Sequence, residues 1–88
     1  MDTLHQQEAS TLDKNDRKIY EELYSLYEIM GDAVKRIQKE GGTNAQLAYD
    51  IQLMIKKYMD DLVMGRYDLE EKYFVSLKEM VQHWKGNS

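Results

Sequence analysis

The pattern of apolar and polar positions along the chain predicts three amphipathic helices. In the first, aliphatic residues recur at alternating steps of four and three, the spacing that keeps side chains on one face of a helix. Acidic residues precede this run, basic residues close it, and Gly41-Gly42 follows as a stop. The predicted apolar seam of the first helix consists of Ile19, Leu23, Leu26, Met30, Ala33 and Ile37.

Two further helices follow after short connections. Thr43 and Gln46 have the spacing of a capping box at the start of the second helix, and Gly65 ends it. Asp68 and Glu71 form a second candidate cap, which would start the third helix. The predicted seams are Ala48, Ile51, Ile55, Tyr58 and Leu62, flanked by Leu47, Met54 and Met59, in the second helix, and Leu69, Tyr73, Leu77, Met80 and Trp84 in the third.

Three seams of similar length joined by short turns predict an all-α fold, an antiparallel up-down-up three-helix bundle. The predicted helices cover about 13–40, 44–64 and 68–85. Residues 13–88 then form a single helical domain. Residues 1–12 contain Leu4 and Leu12 as their only larger aliphatic residues, so we expect a flexible tail there, with a short helix across the bundle as the alternative.

Composition limits the function more than the fold. A chain of 88 residues with no cysteine forms one small domain, without disulfides or a thiolate metal site. The net charge is −4 and no basic stripe is visible, so we expect no nucleic-acid partner. The first residues lack the basic-then-apolar order of a signal peptide, and no apolar run is long enough to span a membrane. We therefore expect a cytoplasmic location.

Residues that carry catalytic chemistry do not converge in the sequence. His5 and His83 are the two histidines, and the pair Glu79 and His83 supplies two ligands where a metal site needs more. Adjacent acidic residues diverge around a helix, and the chain has no phosphate-binding loop and no nucleophile beside a base. We expect no enzyme activity, no cofactor and no bound metal.

Several apolar residues lie outside the predicted seams. Tyr20 and Tyr24 lie off the first seam, while Tyr49 and Leu53 lie opposite the second. Two interpretations stay open. Tyrosine can cover neighbouring apolar surface while its hydroxyl stays in water, or these side chains can form an interface with a protein partner or with a second copy in a homodimer.

The charges predict an electrically polarised bundle. One end gathers the start of the first helix, the end of the second and the start of the third, where nine acidic against five basic residues give −4. The opposite end, with five basic residues including Lys78 against three acidic ones, carries +2. We expect this basic end to bind an acidic partner or to make peripheral contact with an anionic membrane, although Trp84 there also suits a cap on the core. The candidate binding residues are Lys35, Arg36, Lys39, His83, Trp84 and Lys85.

The stretch Gly65-Arg66-Tyr67-Asp68-Leu69-Glu70-Glu71-Lys72, continued to Leu77, resembles the immunity proteins that protect bacteria against their own pediocin-like (class IIa) bacteriocins. In helix order and spacing the resemblance covers residues 16 to 84. Members of that family usually form four-helix bundles. The resemblance implies a cytoplasmic binder that guards a membrane receptor complex, with recognition near the C-terminal part.

These observations favour a small non-enzymatic protein-interaction domain, of the immunity or inhibitor type. Two alternatives stay open. One is a ligand-binding or regulatory helical domain whose tyrosines and methionines line an apolar pocket, and the other is a structural homodimer.

Overall fold

The computed structural model describes residues 12–85 and contains three helices in that range. They are α1 (Lys14–Lys39), α2 (Ala45–Val63) and α3 (Glu71–Gln82). No strand occurs anywhere in 12–85, so the all-α three-helix bundle expected from the sequence is confirmed. The tail or short helix expected for residues 1–12 lies, apart from Leu12, outside the described residues.

α1 and α2 form an antiparallel hairpin. The Asp13 carboxylate accepts a hydrogen bond of 2.8 Å from the backbone N–H of Asp16 and so starts α1. At the other end Gly41 takes a φ of +75°, and the N–H of Gly42 donates to the Ile37 carbonyl at 2.9 Å. This pattern is a Schellman motif, which ends the helix at the predicted glycine pair.

The same motif ends α2. Gly65 has a φ of +75°, and the N–H of Arg66 donates to the Asp61 carbonyl at 2.7 Å. The break predicted near Gly65 is therefore confirmed. Residues 66–70 then form a non-helical linker, so α3 begins at Glu71, later than the sequence predicts.

Both predicted helix caps are wrong. The residue that starts α2 is Asn44 instead of Thr43, and the residue that starts α3 is Glu70 instead of Asp68. Neither side chain makes a capping hydrogen bond. The chain enters each helix one or two residues later than the polar pattern indicates, which moves the predicted cap out of reach of the helix N–H groups.

The hydrophobic core lies mainly along the seam between α1 and α2. These two helices contact each other over much of their length, whereas α3 contacts α1 over a shorter stretch. Leu23, Met30, Ile55 and Val81 are the largest side chains that are fully buried among the described residues. The whole core consists of Tyr20, Leu23, Leu26, Met30, Ala33, Ala48, Ile51, Ile55, Met59, Leu62, Phe74, Leu77 and Val81.

The tyrosines of α1 are more buried than predicted. Tyr20 is only 2% exposed and belongs to the core, so its prediction as a partner-binding residue is wrong. Tyr24 is half-buried, packs against the core and stacks on Tyr27 with ring centroids 6.5 Å apart. The reason is that α1 packs against both other helices, so its buried arc is wider than a single seam.

α3 is rotated relative to its predicted orientation. The residues that it buries are Phe74, Leu77 and Val81, whereas Tyr73 is 54% and Met80 37% exposed. Only Leu77 belongs to both the predicted and the observed seam. Two overlapping apolar stripes run along this helix and share Leu77. Of the predicted stripe, Tyr73 and Met80 face outward, whereas Leu69 and Trp84 are half-buried against the core.

Two polar contacts fasten α3 to α1. Near the middle of α3 the ammonium group of Lys78 lies 3.3 Å from a carboxylate oxygen of Glu22. At its end Arg36 Nη2 donates to the backbone carbonyl of Trp84 at 2.7 Å. Within α3 itself, the Lys78 ammonium group also lies 4.7 Å from the centroid of the Phe74 ring, which orients Lys78 for its contact with Glu22.

Candidate functional site

An apolar groove separates α2 from α3. Both helices pack on α1 but contact each other far less, which leaves a space of about 370 Å³ between them. Leu77, 5% exposed, forms the floor, while Met54 on one wall and Met80 on the other are each 37% exposed. The groove is lined by Met54, Tyr58, Leu69, Tyr73, Ser76, Leu77 and Met80.

The sequence builds both walls from apolar residues that lie beside the core. On α3, the outward stripe of Tyr73 and Met80 forms one wall. On α2, Met54 and Tyr58 are four residues apart and share a face next to the buried seam. Leu47, seven residues before Met54 and 53% exposed, extends that face toward the start of α2. Tyr58, predicted to lie in the seam, is half-buried and reaches the groove instead.

An aromatic pair stands at the end of the groove nearest the linker. The rings of Tyr58 and Tyr67 meet edge to face, with centroids 6.5 Å apart and planes at 82°. Burial raises the pKa of the Tyr67 hydroxyl, and the neighbouring Tyr58, Glu22 and Asp16 raise it further. The Tyr67 phenol is therefore neutral at physiological pH, and its ring supports Tyr58 from outside the groove lining.

Charged side chains border the groove without entering it. Lys57 donates to an Asp61 carboxylate oxygen at 2.8 Å, and this hydrogen bond and charge raise the pKa of Lys57, with smaller contributions from Tyr58 and Asp68. On the opposite wall the Lys72 ammonium group lies 5.1 Å from the centroid of the Tyr73 ring. Both ammonium groups thus have intramolecular partners at the rim.

The pair on the far side of α2 lies where the sequence predicts. Tyr49 is 45% and Leu53 47% exposed, so both are outside the core of the monomer. At 100° per residue Leu53 lies about a right angle from Met54, and this pair therefore does not line the groove. Its availability to a partner stays a prediction.

The predicted basic end is brought together, but two of its members are already engaged. Arg36 is half-buried and bonds the carbonyl of Trp84, and the indole of Trp84 packs against the core. The remaining members, Lys35, Lys39, His83 and Lys85, are exposed. Their role in binding a partner or a membrane is untested by the geometry, while Arg36 and Trp84 have an evident part in holding the end of α3.

The predicted charge polarity is weaker than the sequence indicates. Ion pairs within residues 12–85 include Lys56–Asp60 at 2.7 Å, Lys57–Asp61 at 2.8 Å and Lys78–Glu22 at 3.3 Å. Through these pairs Lys56, Lys57 and Lys78 lie at the acidic end, where the sequence count of basic residues did not include them. The acidic end therefore has nine acidic and eight basic residues, for a net charge of −1. The basic end loses Lys78 and falls from +2 to +1.

Comparisons with protein-family models, with curated proteins and with solved structures gave no match. Within residues 12–85 no three His, Cys, Asp or Glu side chains come together in a way that could hold a metal ion. None of the helices in that range has the length and apolar character needed to cross a membrane. A second cavity, of about 430 Å³ and between α1 and α3, is lined partly by charged residues such as Lys18, Glu22 and Glu71, so the groove is the more apolar of these two. The sequence signal that could have revealed it is the second apolar stripe on α3.

Proposed function

We propose that this chain is a non-enzymatic protein-interaction domain that binds its partner in the groove between α2 and α3. The observation that carries the proposal is the exposure of Tyr73 and Met80 on a helix whose core side is already filled by Phe74 and Val81. Tyrosine and methionine supply contact area and adapt to the shape of a partner. A partner segment in the groove would remove these side chains from water and fill the space between the helices.

Site-specific photo-crosslinking tests this proposal. A benzophenone side chain replaces Tyr73 in the groove or, as the matched control, Tyr49 on the far side of α2, and the chain is irradiated in its native cells. We expect a discrete crosslinked protein from position 73 that is absent from position 49 and is lost when Met80→Ser is added. The same product from both positions, or no protein product from position 73, would contradict the proposal.

A pocket for a small apolar ligand is the second candidate. A volume of about 370 Å³ lies within the roughly 300–1,000 Å³ common for such pockets. Small-ligand sites, however, bury most of the ligand surface, whereas Met54, Tyr73 and Met80 leave this groove open along its length. An apolar fluorescent probe whose binding is abolished by Tyr73→Ser, combined with no protein crosslink at position 73, would favour the ligand over the protein partner.

The resemblance to bacteriocin immunity proteins supports an immunity or inhibitor type of interaction domain. The resembling stretch contributes Leu69, Tyr73 and Leu77 to the groove. A partner captured at position 73 would then belong to a membrane receptor complex, and the domain would bind that complex from the cytoplasm. The absence of cysteine suits such a reducing compartment.

A further inference from the structure

We propose that the groove between α2 and α3 binds a cationic amphipathic helix of the partner protein. The inference rests on the proposed function and adds the shape and charge of the bound segment. Its grounds are the helical spacing of the lining residues, the apolar walls, and the sign of the charge at the rim.

The spacing of the groove fits a helix. Tyr73, Leu77 and Met80 follow one another at steps of four and three along two turns of α3, or about 10 Å. An amphipathic helix presents its own anchors at the same spacing, and helices bound in grooves are recognised through such anchors. Lying between α2 and α3, a helix would contact both and give the arrangement a fourth member.

The charged residues around the groove have a negative sum. On α2, Asp50 and Asp61 share the face of Met54, and in the linker two further acidic residues flank Leu69. The bordering set is Asp50, Asp61, Asp68 and Glu70 against Lys57 and Lys72, which leaves −2. Lys57 and Asp61 pair with each other and cancel in this sum. The other three carboxylates outnumber Lys72, so a bound helix meets a rim of net negative charge.

Charge also argues against the two occupants that the chain itself could supply. Residues 1–11 carry Asp2 and Glu8 and no lysine or arginine, and Leu4 is their only large aliphatic residue apart from Met1. Such a segment offers few apolar anchors, and its charge is negative like that of the groove rim. A second copy carries the same −4 and would place one acidic rim against another.

Three synthetic peptides of equal length test the assignment. The first has leucines at helical spacing on one face and lysines elsewhere, the second replaces the lysines with glutamates, and the third scrambles the first so that no apolar face remains. Each carries a dye for fluorescence anisotropy with the full-length chain at about 0.15 M salt. We expect the lysine peptide to bind at least about tenfold more tightly than the other two.

Matched double variants locate the binding. Tyr73→Ser with Met80→Ser should lower the affinity for the lysine peptide by about tenfold or more, since two exposed anchors of the groove are removed. Tyr49→Ser with Leu53→Ser, a pair of comparable size and exposure on the far side of α2, should change affinity by less than about twofold. Circular dichroism confirms that each variant keeps its helices.

A second matched pair tests the rim. Asp50→Asn with Asp68→Asn should reduce the preference for the lysine peptide over the glutamate peptide by about fivefold or more. Glu28→Gln with Asp32→Asn removes the same charge from the exposed surface of α1 and should leave that preference within about twofold of the original. Equal effects of the two variants would show attraction by total charge and would overturn the assignment.

The remaining outcomes are equally decisive. Equal binding of the lysine and glutamate peptides overturns the cationic occupant, and binding that Tyr73→Ser with Met80→Ser leaves unchanged overturns the groove as its location. If Leu4→Ser raises the affinity for the lysine peptide, the occupant of the groove is the chain's own first residues. If sedimentation shows a dimer that Tyr73→Ser with Met80→Ser abolishes, the occupant is a second copy of the chain. A protein crosslinked at position 73 despite failure of the peptides would leave the proposed function standing and remove only this inference.

Discussion

Two neighbouring residues of α2 show that one side of this helix is buried and the other is partly exposed. Ile55 faces α1 and is fully buried, whereas Met54 faces α3 and is 37% exposed. The seam between α1 and α2 is closed by side chains of this chain alone, while the seam between α2 and α3 is open. One helix thus contributes both a core seam and the wall of a binding groove.

The connections explain the difference. A tight Schellman turn at Gly41 folds α2 directly back on α1, so their seams meet along most of their length. After Gly65 the chain instead runs through the linker 66–70, and α3 is fastened to α1. A short hairpin closes a seam, whereas a linker followed by contacts with a third element leaves one open.

The first of two large expected effects separates the closed seam from the open one. Ile55→Ala should lower the free energy of unfolding by about 2–5 kcal/mol because it leaves a cavity in the core. Met54→Ala should cost less than about 1 kcal/mol, since that side chain is partly in water. Urea unfolding followed by circular dichroism measures both, and equal losses would show that the two seams are equally closed.

The next contrast concerns adjacent residues of α3. Phe74→Ala should cost roughly 3–5 kcal/mol, the usual range for a buried phenylalanine, because the ring is in the core and also loses its contact with the Lys78 ammonium group. Tyr73→Ala should stay within about 0.5 kcal/mol. The same urea titration checks the pair. A larger loss for Tyr73→Ala would mean that the outward stripe belongs to the core.

Replacing either of the two turn glycines should cost less stability than the core substitutions, and the two losses should be similar. Both Gly41 and Gly65 have a φ of +75° and open space where a Cβ would lie, so alanine at either position should cost about 1–2 kcal/mol through the backbone alone. Thermal midpoints of the two variants should fall by similar amounts. A clearly smaller fall for Gly65→Ala would show that α3 shifts to relieve the strain, and that the open seam is the more adaptable one.

The smallest expected effect is a pH dependence at the end of the groove. Burial raises the pKa of Tyr67 above its ordinary value of 10.0, so the stability that comes from the neutral phenol is complete below that value. It is lost as the pH rises through the pKa of the folded state. Between about pH 9 and 11 the Tyr67→Phe variant should therefore lose slightly less thermal stability than the original chain, and parallel curves would contradict this.

Helix order and the positions of the breaks could be read from the sequence, because a glycine after a periodic apolar run takes the left-handed conformation that ends a helix. The core of α1 was also predictable in part: Leu23, Leu26, Met30 and Ala33 are buried as expected. Tyr20 was not predicted because periodicity reports the centre of a buried face and not its width, which depends on how many helices pack around it.

The orientation of α3 could not be decided from the sequence. Leu77 belongs both to the stripe with Tyr73 and Met80 and to the stripe with Phe74 and Val81, and each stripe is apolar. Only the contacts with α1 select which one is buried. The groove was therefore hidden from sequence analysis, although the alternative of a pocket lined by tyrosine and methionine anticipated its composition.

The hydrogen bond between Arg36 and the carbonyl of Trp84 makes tryptophan fluorescence a probe of how α3 docks on α1. Trp84 is the only tryptophan, and this 2.7 Å hydrogen bond ties its backbone to α1. Tryptophan emission therefore reports whether the end of α3 is docked, while circular dichroism reports the helices together. If the emission changes at a lower urea concentration than the dichroism, the third helix detaches while the hairpin of α1 and α2 is still intact.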